Sequence, residues 1–594
     1  MVRVADCIFD RLYDAGVGHI FMVTGRGALF LSDAVAKHKE LVGISVHHEQ
    51  AAAYAAVAYS QFNEQLGACL VSTGCAGTNA ITGVLNAWQD GVSCVFISGQ
   101  NTLAETTRYT GIPLRTFGQQ EADIIPIVEP ITKYATMITD PSQVVYELDK
   151  AIYLSQNGRK GPVWIDIPLD IQNMRIEPEK LERFVPETNS SFTPLQNELD
   201  YVRNALSKAK RPVILVGNGV RSANAVADFE QFLSKYPIPV VYSASAPDTL
   251  GTEHDLSIGS VGIMGCSRAG NFAIQNSDLI LVLGNRLSPM TTGSDYCKFG
   301  RSAKTIVIDI DPVEHSKKTV LIDKLIISDV GNFLRELIRY KLSPASMEWR
   351  DKCIKWKKLF PNCEDEFKGG DLVDLYYLSE VLSENLLDSS VVVTDSGLTE
   401  LILPSNISFK KGMRCIHPAS QGSMGYALPA AVGAYYSSKL PVVTVIGDGS
   451  IMMNLQELET IRYHNLPIKI IVINNNAYAV IRKRQVDMFR TRTIGTDPAN
   501  GVSCPDFKKV ADTFGLTYLL ISSTNELQVK IKEVLEMDGP VLCEIMSPED
   551  QDYISIAHSR TLESGFVRRP LEDQAPFMDR DIFLSEMVVE PIDQ

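Results

Sequence analysis

Val442–Tyr478 reads VVTVIGDGSIMMNLQELETIRYHNLPIKIIVINNNAY. A β-branched apolar run ends in Gly447-Asp448-Gly449-Ser450, a helix-patterned segment follows, and a second apolar run ends in Asn474-Asn475-Asn476. Both runs have the continuous hydrophobicity of strands buried on two faces. Each therefore delivers oxygen ligands and small residues to the C-terminal tip of a parallel strand, where open α/β sheets bind ligands. An Asp carboxylate, an Asn amide oxygen and a nearby backbone carbonyl are hard donors, suited to Mg²⁺ held against a phosphate rather than to Zn²⁺. Gly447 and Gly449 let the backbone approach a phosphate, and Ser450 at the helix start can donate to it.

The rest of the chain sets the context. Its 594 residues suffice for three or four domains. Apolar residues make up 45% and charged residues 21%, the balance of a globular protein. A net charge of −15 opposes binding to nucleic acid or to anionic membranes. The N-terminal MVRVADCIFDRLYDAG carries acids where a signal peptide needs an apolar core, and no apolar run reaches the roughly 18 residues of a membrane span. Eleven scattered cysteines without a CxxC pair read as reduced thiols, so a cytoplasmic location is expected. Cys75, although in a Gly-rich loop, reads as a small packing residue.

Three βα series follow one another. Residues 1–187 contain GHIFMVTG, LGACLVSTG, GVSCVFISGQ and GPVWIDIPLD; Thr188–Gln196 is a polar linker. Residues 197–345 contain RPVILVGNGV, IPVVYSA, DLILVLGNRL and KTIVIDIDP, a Rossmann-like pattern in which Gly217-Asn218-Gly219 fits either a nucleotide loop or a tight turn. Ser346–Asp371 reads as a connecting helix. Residues 372–560 hold VVVTDSG and the two quoted strands, and 561–594 read as a polar tail without periodicity. The fold class expected is α/β, with three doubly wound parallel-sheet domains.

Other segments carry chemistry. Glu49, in Val46-His47-His48-Glu49-Gln50, sits between a strand and the small-residue helix AAAYAAVAYS. A carboxyl buried there would have a raised pKa and could handle protons; a helix-dipole role is the simpler alternative. His47 and His48 suit packing and hydrogen bonding. Ser420–Ala431 (SQGSMGYALPAA) places Met424 between glycines at a helix start, a bulky and deformable apolar prop. Ser72–Asn79 (STGCAGTN) is a Gly-rich loop running into a helix, and Phe117–Asp123 (FGQQEAD) is a polar strip able to line a pocket.

With these motifs in this order, the chain resembles the thiamine diphosphate (ThDP)-dependent 2-oxoacid decarboxylase/carboligase superfamily, and within it the large subunits of acetolactate synthases. HEQAAA, STGxxGTN, SGQ, QEAD, GPVWIDIPLD, AIQNSDLILVLGNR, IDIDP, GSMGYALPAA and GDGS…NN carry the likeness across residues 10–550; Asp448 and Asn475 are 27 apart. The resemblance implies a pyrimidine-binding, a central Rossmann-like and a diphosphate-binding domain. It also implies active sites between the first domain of one subunit and the third of another, hence a homodimer or homotetramer.

It assigns roles as well. Glu49 would hydrogen-bond N1′ of the aminopyrimidine and favour the imino form that deprotonates C2 of the thiazolium. Met424 would prop the cofactor in a bent shape, and the backbone of Gly422 and Met424 would hold the pyrimidine. Asp448, Asn475 and the carbonyl of Ala477 would bind Mg²⁺. Ser396, Gly397 and Leu398, with Gly447, Gly449, Ser450 and Tyr478, would complete the cofactor site. Gln120 would lie near the reacting carbonyl.

The chain also departs from acetolactate synthases. Thr24-Gly25-Arg26-Gly27 replaces a Pro-Gly-Gly turn. The longer segment before QEAD brings Arg108, Tyr109 and Arg115 to the mouth, and Arg484, in Arg482-Lys483-Arg484, stands at the place of an acceptor-pocket Trp. Arg115 and Arg484 would favour an anionic acceptor, such as a nucleotide-linked keto-sugar, since Arg binds phosphate bidentately. Ser288-Pro289-Met290 replaces an Asp-Asp-Arg that contacts flavin, so FAD is expected to be weak or absent. A two-pyruvate acetolactate synthase, a simple decarboxylase and a flavin-dependent pyruvate oxidase remain alternatives. Pyruvate is the expected donor.

Overall fold

In the computed structural model, residues 1–186, 192–342, 345–561 and 565–592 are described. The linker reading of Thr188–Ser191 lies outside them. Three six-stranded parallel sheets follow in sequence. The first contains β1 (His19–Met22), β2 (Val42–Ser45), β3 (Gly67–Val71), β4 (Cys94–Gln100), β5 (Tyr134–Met137) and β6 (Pro162–Pro168), in spatial order β2-β1-β3-β4-β6-β5. The second contains β7 (Pro212–Val216), β8 (Val240–Tyr242), β9 (Ser257–Ser260), β10 (Leu279–Leu283), β11 (Lys304–Asp309) and β12 (Lys324–Ile327), ordered β9-β8-β7-β10-β11-β12. The third contains β13 (Val391–Thr394), β14 (Arg414–Ile416), β15 (Val442–Gly447), β16 (Ile468–Asn474), β17 (Thr517–Ile521) and β18 (Val541–Met546), ordered β14-β13-β15-β16-β18-β17.

The middle order is that of dinucleotide-binding folds. The outer two sheets share one order, so the first and third segments are built alike. Leu279–Leu283, Val391–Thr394 and the apolar part of β15 are buried at every residue, as strands covered by helices on both faces must be.

One helix pair joins the outer domains. In α1 (Glu49–Asn63), every residue from Ala51 to Ser60 is buried. It lies against α2 (Ala427–Ser438), and its alanines permit the close approach. A Cβ on Gly433 would fall 2.0 Å from the carbonyl oxygen of Ala55. The Tyr54 and Tyr426 rings meet edge-on at 5.2 Å, and Ser437 Oγ donates to Tyr59 O at 2.9 Å.

Met347–Leu359 is a helix, as the sequence suggested, but it packs into the central domain through buried Trp349 and Trp356. The C-terminal segment also differs from the reading of an aperiodic tail. Gln574 Nε2 donates to Gly262 O at 2.9 Å, Arg301 pairs with buried Glu572 at 2.7 Å, and Trp356 Nε1 donates to Glu586 at 3.0 Å. Phe583, in the helix Arg580–Glu586, is buried. The segment docks on the central domain through paired polar groups, which no hydrophobic periodicity announces. Among the described residues, no helix is long and apolar enough to cross a membrane.

Candidate active site

The loop after β2 delivers Glu49. His48 caps α1, its Nδ1 accepting from Gln50 N at 3.2 Å, and this leaves Glu49 in the first turn. The positive end of the helix favours a carboxylate there. Asn79, at the end of the Gly-rich segment after β3, donates to Glu49 Oε2 at 2.9 Å. Glu49 is half-buried within one chain, not sequestered as the sequence suggested. The corner is tied to the third domain. His47 N donates to Glu457 Oε1 at 3.1 Å, and Asn454 Nδ2 donates to Gln50 Oε1 at 3.1 Å and to Gly425 O at 2.8 Å. Elements about 400 residues apart thus meet beside Glu49.

Strands β15 and β16 are neighbours in parallel register, Gly447 opposite Ile473, so Asp448 and Asn475 leave the sheet at one place. Asp448 is buried; its Oδ1 accepts from Gly449 N at 2.7 Å and its Oδ2 from Asn476 N at 2.6 Å. Burial pushes its carboxyl up to about 6. Asn475 Oδ1 accepts from Ala477 N at 3.2 Å and keeps a second lone pair free. Gly449 faces Tyr478 so tightly that a Cβ would fall 1.9 Å from the ring. A buried carboxylate, an amide oxygen and the turn carbonyl of Ala477 are donors of the kind a hard divalent cation takes, and the open side of Gly447, where a Cβ would lie 3.9 Å from Ser450 Oγ, leaves room for a diphosphate. Among the described residues, no cluster of three or more His, Cys, Asp or Glu could hold a metal, so any ion here depends on mixed oxygen donors.

Asp395, beyond the tip of β13, is buried and accepts from Ser396 N (2.9 Å), Gly425 N (3.0 Å) and Ala427 N (2.8 Å). Burial pushes it up to about 6. It fixes the loop carrying Gly422 and Met424. The glycines on either side of Met424 have φ of +59° and +79°, a conformation costly for other residues, and Met424 itself is half-buried. Ser396 and Gly397 lie between Asp395 and the helix Leu398–Asn406, and Ser450 is buried in the helix Asp448–Ile451. The anchoring by Asp395, the hold of Asn454 on Gln50 and Gly425, and the contact of Glu457 with His47 escaped sequence reading. Only the TDSG tip hinted at the first. Glu400 is a further unforeseen carboxyl, 4.0 Å from the Nδ1 of buried His417 and pushed upward by burial.

The other expected site residues are more dispersed. Gln120 is exposed with φ +60°, its carbonyl so close to Gly74 that a Cβ there would lie 1.7 Å away. Cys75, contrary to expectation, is exposed. Arg115 is exposed. The basic run on α3 (Ala479–Phe489) divides. Arg482 pairs with Asp497 (3.1 Å), Glu549 (3.3 Å) and Asp550, and Lys483 with Asp552 at 2.8 Å. Arg484 Nη2 donates to Met264 Sδ at 3.7 Å and, among the described residues, pairs with no carboxylate. A cavity of about 440 Å³ at the C-terminal edge of the central sheet is lined by Gly217–Gly219, Gly284–Arg286 and Asp309 and reaches Ser420.

Comparison with known proteins agrees with this geometry. Residues 2–127 match the N-terminal TPP binding domain of thiamine pyrophosphate enzymes, 199–337 the central domain, and 395–545 the C-terminal TPP binding domain. The acetolactate synthase large subunit of Corynebacterium glutamicum is 31% identical over 92% of this chain and 87% of its own length. The chain belongs to the thiamine pyrophosphate enzyme family. Acetolactate synthase large subunits of Cyanidium caldarium (29% identical, covering 94% of this chain and 95% of the relative) and of Buchnera aphidicola subsp. Schizaphis graminum (30%, 89% and 91%) show the same end-to-end likeness. It is a ThDP-dependent, acetolactate synthase-like enzyme, and the cofactor expected from GDGS…NN is that of the family.

Proposed function

We propose that this enzyme is a ThDP- and Mg²⁺-dependent carboligase. It removes CO₂ from a 2-oxoacid, pyruvate in the simplest case, and adds the acyl unit to a carbonyl acceptor bearing a negative charge, such as a nucleotide-linked keto-sugar. The observation that carries this reading is the convergence of Asp448 and Asn475 at one sheet edge with Glu49 anchored to the same domain through His47 and Gln50.

In this reading residues 1–187 bind the pyrimidine and 372–560 the diphosphate, with 197–345 between them and 561–594 following. Asp448, Asn475 and the Ala477 carbonyl would hold the cation. Gly447, Gly449, Ser450, Ser396, Gly397, Leu398 and Tyr478 shape the diphosphate and thiazolium end. Gly422 and Met424 position the pyrimidine, where a shift of about 1 Å can cost roughly 10²-fold in rate. Glu49, oriented by Asn79, would hold or release a proton at its carboxyl toward the pyrimidine, and Gln120 would lie near the reacting carbonyl. When bound, thiamine diphosphate supplies the electron sink for decarboxylation. Among the described residues neither Arg484 nor Arg115 is paired with a carboxylate, and both would be open to an anionic acceptor.

Uncovered apolar side chains favour a homodimer or larger assembly completing the site: Tyr109 and Phe117 in the first domain, Met452, Met453, Met488 and Phe489 in the third. Flavin has no part in the proposal. Two of the cations lining the central cavity are already paired, Arg159 with Asp311 and Glu314, and Arg414 with Asp248, which leaves these two poor partners for a flavin diphosphate. Flavin absorption in the purified protein would overturn that point.

Product analysis by mass spectrometry, with pyruvate and a panel of keto-sugars, tests the whole. The expected outcome is a sugar enlarged by an acetyl unit. Acetolactate alone would select the second reading, a two-pyruvate synthase, which the full-length likeness to acetolactate synthases supports.

A further inference from the structure

Arg26 stands in Thr24-Gly25-Arg26-Gly27, the loop that follows β1. β1 is hydrogen-bonded to β2, whose tip leads to Glu49, so the two loops leave strands about 4.8 Å apart. The loop is rigidly seated. Gly27 N donates to Ser72 Oγ at 3.2 Å, and Gly27 O accepts from the Nε2 of buried Gln172 at 2.6 Å. The guanidinium is oriented too. Its Nη1 donates to Gln119 Oε1 at 2.6 Å, and the carbonyl of Gln119 accepts from Asn101 Nδ2 at 3.0 Å.

No carboxylate of the described residues pairs with Arg26, although the chain has 71 acidic against 56 basic residues. Arg108, on the neighbouring loop, is taken by Asp123 at 2.8 Å, and Arg482 by three acids. A guanidinium bound to one neutral amide keeps most of its five donors open, in the planar fork that matches a carboxylate or phosphate. Preorganisation of this kind lowers the ordering cost of binding an anion.

We propose that Arg26 is the clamp for the acceptor's anionic group, which is retained in the product. This rests on the carboligase reading above. The reaction balances as pyruvate plus a ketone plus one proton giving CO₂ and an acetyl-substituted tertiary alcohol. The bond from pyruvate C2 to its carboxylate breaks, its electron pair forms the new C–C bond, and the proton ends on the former ketone oxygen. The donor carboxylate is a poor partner for Arg26. A guanidinium fixed on it would stabilise the charge that must leave that group, favouring the ground state over the transition state. The acceptor's anion keeps its charge throughout. It is either the carboxylate of a second 2-oxoacid or the phosphate of a nucleotide-linked or phosphorylated ketone.

The test uses the full-length enzyme with ThDP, Mg²⁺ and labelled pyruvate, and three acceptors: pyruvate itself, a nucleotide-linked keto-sugar, and neutral acetaldehyde. The readout is the ratio of kcat/KM for each charged acceptor to that for acetaldehyde, which general damage to the fold does not move. Arg26→Gln is expected to lower that ratio roughly tenfold or more, the scale of a hydrogen bond to a charged group. Arg26→Lys should restore part of it, and Arg482→Gln should leave it at the wild-type value. The charged acceptor that loses most identifies the anion. An Arg26→Gln enzyme with wild-type ratios for both charged acceptors, or one that loses the neutral acceptor equally, overturns the clamp. If wild-type enzyme releases no CO₂ from pyruvate, the carboligase reading itself fails and the clamp falls with it.

Discussion

The first and third sheets share one strand order, yet their C-terminal edges are equipped differently. The third edge is built inward. Asp395 and Asp448 are buried and held by backbone N–H donors, three on Asp395 and one on each oxygen of Asp448, and Asn475 is nearly as buried. The first edge is built outward: Glu49 is half-buried, and Arg26, Gln120 and Arg115 are exposed. In the proposed reading a single topology serves two tasks. Buried, over-determined oxygens suit permanent possession of a cation and diphosphate, whereas accessible side chains suit proton exchange and substrate traffic.

The sharpest break in this comparison comes from Glu49→Gln, which keeps the shape and removes the proton. Steady-state CO₂ release should fall by about 10²–10⁴-fold, the usual range for a general acid–base group. Retention of more than a tenth of the activity would move the proton chemistry elsewhere. The helix pair that joins the outer domains is probed by Gly433→Val, whose Cβ would meet the Ala55 carbonyl at 2.0 Å. Urea denaturation should show a loss of about 1–3 kcal/mol, as overpacking does; an unchanged midpoint would mean that the helices are loosely packed.

The interiors of the two sheets differ as well. Asp166 on β6 faces Ser98 and accepts its hydroxyl at 2.6 Å, whereas the fifth residue of β18, Ile545, faces Ile473. Burial pushes Asp166 up to about 7, against about 3.9 in an unfolded chain. Between those pH values the native state holds a proton that the unfolded state has lost, so stability falls as pH rises from about 4 to about 7 and then levels off. Asp166→Asn should lack this slope; parallel urea midpoints for variant and wild type across that range would contradict the assignment. The smallest effect is expected from Arg482→Gln, two of whose three partners, Glu549 and Asp550, are exposed: less than about 1 kcal/mol in stability.

The tips of β15 and β16 were legible because a strand end writes its ligands into consecutive residues, GDGS and NN. The inner strands of the outer sheets were legible because buried strands read as apolar runs; β5, β14 and β17, only partly buried, were not. Pairings across long sequence separations were not. Nothing local to Asp395 announces that it will accept from Gly425 and Ala427, nor to His47 that Glu457 will meet it. The docking of the C-terminal segment was hidden for a related reason. Glu572, Glu586 and Gln574 are buried by pairing with Arg301, Trp356 and Asn271, so composition alone marks them as solvent-facing. The basic run at Arg482 looked uniform, but its neighbours in space had already claimed two of the three charges.

Titration calorimetry of wild type, Glu49→Gln and Asp448→Asn with thiamine diphosphate, with and without Mg²⁺, tests the division of labour most directly. Wild type and Glu49→Gln should both take up cofactor only with the cation, while Asp448→Asn should show no uptake at the same concentrations. Undiminished binding by Asp448→Asn, or uptake by wild type that ignores Mg²⁺, would contradict the claim that the third sheet holds the cofactor through a metal.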